Sequence, residues 1–128
     1  MIKIVYSDYY SKVTDEIVNT IINKNDSYKS DLSSDKKIEL SSYRVNGVWE
    51  IPYKINNLSK DCKHFIAVGV VIKGDTDHYE YLSTGVNNAL MNLTINKNVY
   101  IANCILNVHN LSQAEARSES KGIEAFEA

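Results

Sequence analysis

The run Phe65-Ile66-Ala67-Val68-Gly69-Val70-Val71-Ile72 has no polar side chain and is rich in β-branched residues. Such a run fits a strand buried on both faces, and a strand of that kind needs a parallel sheet with helices covering each side. The rest of the chain must therefore supply both strand partners and amphipathic helices.

It does so in alternation. Ile2 to Tyr6 is a second apolar run, and after a polar break Ile17, Val18, Ile21 and Ile22 recur at one-turn spacing, predicting a helix. Thr14 is placed to cap that helix, with Asp15 and Glu16 in its first turn, where negative charge meets the positive end of the dipole. Asn23 to Lys37, rich in Ser, Asp, Lys and Asn, reads as a solvated connection, and Ile38 to Val45 alternates loosely as an edge strand before Asn46-Gly47 ends it. Pro52 suits the first turn of a second helix, where its missing N–H is not needed. Leu82, Val86, Ala89, Leu90 and Leu93 form the stripe of a third helix, and Val99 to Val108 returns as a strand. Ser112 and Glu115 read as a capping box that opens a final helix. Four strands alternating with helices predict an α/β three-layer αβα sandwich around a four-stranded parallel sheet, flavodoxin-like in arrangement, with ligands beyond the carboxyl ends of the strands.

At 128 residues one core is expected, a single domain over 1–128. A formal net charge of −2 without a basic run argues against nucleic acid as a partner. The longest strongly apolar stretch is too short for a bilayer, so no membrane span is predicted, and without a secretory leader the default location is cytoplasmic. Cys62 and Cys104 lie far apart in sequence and read as reduced thiols rather than as a disulfide or metal pair.

Chemistry concentrates at Gly74-Asp75-Thr76-Asp77-His78, between the central strand and the third helix. Free N–H groups and the helix dipole favour an anion there, Gly74 permits a tight turn, and Thr76 adds a hydroxyl. His78 brings a proton that moves near neutral pH, so the segment suggests acid/base work on a small phosphorylated substrate. Two other readings stay open at this level: Thr76 or Asp77 as a plain N-cap with His78 on the surface, and a metal site built from Asp75, Asp77, His78 and Glu80. An EF-hand would need a third acidic position followed by Gly, which is absent. His64 and His109, at a strand start and a strand end, read as structural or exposed.

Gly47-Val48-Trp49-Glu50-Ile51-Pro52, then Gly69 through Tyr81 with Gly74-x-Thr76-x-His78, then Gln113 to Arg117, resemble the lumazine synthase family from about Ile2 to the C-terminus. The resemblance implies condensation of 5-amino-6-(D-ribitylamino)uracil with 3,4-dihydroxy-2-butanone 4-phosphate, with release of phosphate and water and with no metal or organic cofactor. It implies that His78 transfers protons during Schiff-base formation, phosphate elimination and ring closure. Asp75 and Thr76 would hold the phosphate and Arg117 would clamp it. The pyrimidine would lie against Tyr9, with Val48 and Trp49 nearby, Glu50 on the ribityl hydroxyls, and the backbone of Val70, Val71 and Ile72 reading the uracil edge.

The family builds its site between neighbouring subunits of a ring of five, so Asn103 and Arg117 would come from the adjacent chain. Asn103 stands where an aromatic residue is common, Lys73 where Arg is common, and the segment Ser118 to Gly122 is shorter than the usual connection, which leaves Lys121 as a possible site residue. The family includes pentamers and icosahedral shells of sixty chains; lacking the N-terminal extension that adds a strand to a neighbour, this chain is expected to form the pentamer. Rival readings are a flavin or ribityl-pyrimidine binding protein of the same fold, which would need neither Arg117 nor His78, and the archaeal-type riboflavin synthase, which lacks the phosphate cradle.

Overall fold

The computed structural model describes residues 1–31, 39–73, 78–110 and 112–117, with backbone alone at 27–31, 78 and 79. Its elements run β1 (Ile2–Ser7), α1 (Ser11–Asp31), β2 (Leu40–Val45), a 3-10 turn (Val48–Glu50), α2 (Ile51–Leu58), β3 (His64–Ile72), α3 (His78–Lys97) and β4 (Tyr100–Val108). Residues 112–117 are helical. All strand pairs are parallel, in the order β2-β1-β3-β4. This is the three-layer, flavodoxin-like arrangement that the alternation of runs predicts.

Right-handed crossovers explain why helices cover both faces. The chain first steps from β1 outward to β2, then reverses to β3 and on to β4, so α1 lands on one face and α2 and α3 on the other. Strand alternation supplies each face with its own core. Ile4, Ile66, Val68, Val70, Cys104 and Leu106 meet Val13, Ile17, Val18 and Ile21 of α1, and Ala114 joins them. Val5, Phe65, Ala67, Val71 and Ile105 meet Ile51 and Ile55 of α2 and Val86 and Leu90 of α3. Cys104 and Cys62 are buried in these separate cores. β3 is buried from Phe65 to Val71, as its composition requires. Pro52 lies in the first turn of α2, and Asn98, at φ 54, occupies the left-handed position that ends α3 before β4. His64 and His109 are exposed at the start of β3 and just past β4.

Three local expectations are corrected. Thr14 does not cap α1. The helix begins at Ser11, the Tyr10 carbonyl accepts from both Val13 and Thr14, and the fully buried Thr14 hydroxyl donates back to Tyr10 O at 3.3 Å. Asp15 and Glu16 accordingly lie beyond the first turn. The buried stripe starts one turn earlier than the isoleucines suggest, because Val13 and Thr14 belong to it.

Asn23 to Asp31 is helix rather than connection. Asn25, four residues after Ile21, is 2% exposed and continues the buried face, so a polar residue hides the period. Residues 32–38, including Ile38 of the expected edge strand, lie outside the described residues; β2 itself is an edge strand.

The capping box uses other partners. Asn110 Oδ1 accepts from Gln113 N at 3.0 Å, and Gln113 Oε1 accepts from His109 N at 2.8 Å. Asn-x-x-Gln thus performs the exchange expected of Ser112 and Glu115. Glu115 instead pairs with Lys12 at 3.7 Å, tying the last helical turn to α1.

Candidate active site

β2 and β3 leave β1 in opposite directions, and in open parallel sheets that point of reversal, here between β1 and β3, is where a crevice forms beyond the strand ends. A cavity of about 630 Å³ opens there. Its floor is made by Ser7 at the end of β1 and by Val70, Val71 and Ile72 at the end of β3. Tyr9 and Tyr10, from the turn after β1, and Gly47, Val48 and Trp49, from the turn after β2, form one wall; Tyr81 and Leu82 of α3 form the other.

The turn that carries Tyr9 is anchored to its neighbouring strand. Asp8 N donates to Val45 O at 3.3 Å, and the Asp8 carboxylate accepts a hydrogen bond from Arg44 Nε within an ion pair. That hydrogen bond, then the carboxylate's charge, holds the Arg44 guanidinium above its ordinary pKa. The anchor leaves the Tyr9 ring 76% exposed at the cavity mouth, edge-on to Tyr10 with centroids 4.9 Å apart.

Trp49 is 63% exposed on the 3-10 turn. Its seat is Gly85 of α3, where a Cβ would meet Trp49 Cζ3 at 3.0 Å. Gly69 makes a second close approach, since a Cβ there would stand 2.5 Å from Val48 Cγ1. Two missing side chains therefore allow the Val48-Trp49 turn to lie against the sheet and α3.

Six expected pyrimidine-site residues, Tyr9, Val48, Trp49, Val70, Val71 and Ile72, come together on this cavity. Glu50 is exposed and does not line it; its Oε2 lies over Gly47, 3.0 Å from where a Cβ would be. Asn103 is also outside the cavity. It lies in β4 facing α3, with Nδ2 donating to Asn87 Oδ1 at 3.2 Å and Oδ1 accepting from Ile105 N at 3.0 Å. Asn107 mirrors it, accepting from Ser83 Oγ at 2.8 Å and donating to Ile105 O at 3.3 Å, so these two side chains satisfy the edge-strand amide and carbonyl of Ile105.

Arg117 is exposed on the last helical turn, whose Ala114 packs into the α1 core on the far face of the sheet. Gly74, Asp75, Thr76, Asp77 and Lys121 lie outside the described residues, as does the His78 side chain. The His78 backbone opens α3, one turn before the cavity residues Tyr81 and Leu82. Among the described residues no three His, Cys, Asp or Glu side chains are grouped as for a metal, and no helix is long and apolar enough to cross a membrane.

Sequence reading missed Ser7, Tyr10, Gly47, Tyr81 and Leu82 as lining residues. For Tyr81 and Leu82 a signal existed, since three and four residues after His78 share its side of a helix. Ser7 and Gly47 give no such periodic cue.

A family model described as 6,7-dimethyl-8-ribityllumazine synthase matches residues 1–128. The chain belongs to the 6,7-dimethyl-8-ribityllumazine synthase family. Its class of activity is that of a transferase of riboflavin biosynthesis. A relative of that name from Wigglesworthia glossinidia brevipalpis is 40% identical over 111 residues, 80% of this chain and 71% of the relative. Relatives of the same name from Xanthomonas oryzae pv. oryzae (strain PXO99A) and Buchnera aphidicola subsp. Baizongia pistaciae (strain Bp) are each 39% identical, over 77 and 79 residues, 59% and 60% of this chain; the chain spans about half the length of each.

Proposed function

We propose that the chain, as a single domain, condenses 5-amino-6-(D-ribitylamino)uracil with 3,4-dihydroxy-2-butanone 4-phosphate, releasing phosphate and water without a metal or organic cofactor. The observation that carries this reading is the convergence of Tyr9, Val48, Trp49, Val70, Val71 and Ile72 on one cavity at the β1/β3 reversal, from stretches far apart in sequence. A flat pyrimidine needs apolar faces and polar groups at its edge. Tyr9 and Trp49 supply the faces, and the strand-end backbone of Val70 to Ile72 supplies edge partners. Glu50, next to Trp49, accepts hydrogen bonds from the ribityl hydroxyls.

The second substrate binds at the start of α3. A helix N-terminus attracts phosphate, and Asp75 and Thr76 stand three and two residues before His78 in the sequence. His78 takes and returns protons as the amino group attacks the ketone and water leaves, phosphate is eliminated, and the second nitrogen closes the ring on the remaining carbonyl with loss of a second water. Arg117 and Asn103 stand away from this chain's own cavity, which favours a ring of five copies in which both, with Lys121, complete a neighbour's site. The reaction is placed in the cytoplasm.

Mixing the two substrates with the protein gives a product absorbing in the near ultraviolet. His78→Ala lowers kcat by roughly 10²-fold or more, the scale of a lost general acid/base, with an unchanged circular dichroism spectrum. Absence of product at every protein concentration overturns the proposal.

A further inference from the structure

The cavity floor contains a polar atom to which the proposed reaction assigns no task. Ser7 ends β1, lines the cavity and is only 1% exposed. Among the described residues nothing hydrogen-bonds its hydroxyl, although buried hydroxyls nearly always find a partner. Its surroundings on this face are apolar: a Cβ added to the adjacent Gly69 would meet Val48 Cγ1 at 2.5 Å, Ser7 Oγ at 3.1 Å and Ile51 Cδ1 at 3.5 Å. The hydroxyl thus lies in a notch that Gly69 leaves open, in the cavity that Tyr9 and Trp49 also line.

We infer that Ser7 is a specificity-determining residue for the pyrimidine, its hydroxyl hydrogen-bonding the polar edge of the ring where that edge meets the cavity floor. The inference rests on the proposed function. A hydroxyl donates and accepts, so it suits a ring edge on which carbonyl and N–H groups alternate. A buried polar group that is satisfied only by ligand also discriminates against analogues lacking the matching group.

Steady-state kinetics on the full chain test this. Ser7→Ala raises KM for the pyrimidine about 3- to 10-fold, the loss of one neutral hydrogen bond, and leaves KM for the butanone phosphate in place. Trp49, the only tryptophan, gives a binding readout independent of turnover: its quenching by the pyrimidine shifts to higher concentration by the same factor. An analogue lacking one ring carbonyl binds wild type and Ser7→Ala alike if that carbonyl is the partner, a coupling that a merely structural serine would not produce. If Ser7→Ala does not fold, Ser7→Cys keeps the side-chain shape at a somewhat larger volume, loses most of the hydrogen-bond strength and reads the same shift. A wild type that makes lumazine, with unchanged pyrimidine KM and quenching in the variant, overturns the Ser7 inference alone. A wild type that makes none, yet binds the pyrimidine in a Ser7-dependent way, overturns the proposed reaction and leaves the contact standing.

Discussion

The two faces of the sheet are built from the same strands and differ in what they do at the strand ends. On the α1 face, Ile4, Val68 and Leu106 meet the buried stripe of a helix, and Ala114 joins them. On the other face, the corresponding positions of β1 and β3 are Ser7 and Gly69, and a 3-10 turn leans over them with Val48 inward and Trp49 outward. The first face spends its side-chain volume on packing. The second withholds volume at Ser7, Gly69 and Gly85, and the withheld space becomes the cavity. Function at this site depends as much on absent atoms as on present ones.

The largest expected effect breaks the closed face. Ile17→Ala removes a fully buried side chain from α1 and lowers unfolding free energy by about 2–5 kcal/mol, measured by urea titration, while Trp49 emission in the folded protein stays as in wild type. A shifted Trp49 emission would mean that the two faces are not independent. Next, Gly69→Ala forces a Cβ against Val48 on a strand held from both sides. It costs about 1–3 kcal/mol by overpacking, and, unlike Ile17→Ala, it moves Trp49 emission and weakens pyrimidine binding.

Gly85→Ala has the smallest effect on stability and sharpens the contrast most. Replacing a mid-helix glycine raises helix propensity by up to about 1 kcal/mol, and the crowded group is the edge of an exposed indole free to swing away. Stability should hold or rise while pyrimidine affinity falls several-fold, read by urea titration and Trp49 quenching. A loss of both together would show that Trp49 is part of the core rather than of the site.

Much of the fold was legible because its signals are local. The unbroken run of β3, the Pro52 helix start and the Val86-Leu90 stripe each announce themselves within a few residues, and alternation of strand and helix then leaves little choice of architecture. Reading failed where a polar residue took a buried or pairing role. Thr14 and Asn25 continue a buried stripe, and Asn110 with Gln113 outcompetes a more familiar capping pair, because spacing to partners decided the outcome rather than residue type. Asn103 likewise has a pairing role within its own chain, to an edge-strand amide and Asn87, that its residue type did not announce. Tyr9, Val48, Trp49 and the end of β3 were expected as site residues from a resemblance, and they meet on one cavity.

By itself the sequence determined the order of most elements and a parallel sheet covered by helices on both sides, since hydrophobic period acts over short stretches of chain. Only the tertiary structure decided that Ser7 shares a cavity with Tyr9 and Trp49, that Gly69 and Gly85 leave room for the Val48-Trp49 turn, and that Asn103 and Arg117 do not line that cavity. Empty space is a property of several segments at once, and no single stretch of residues encodes it.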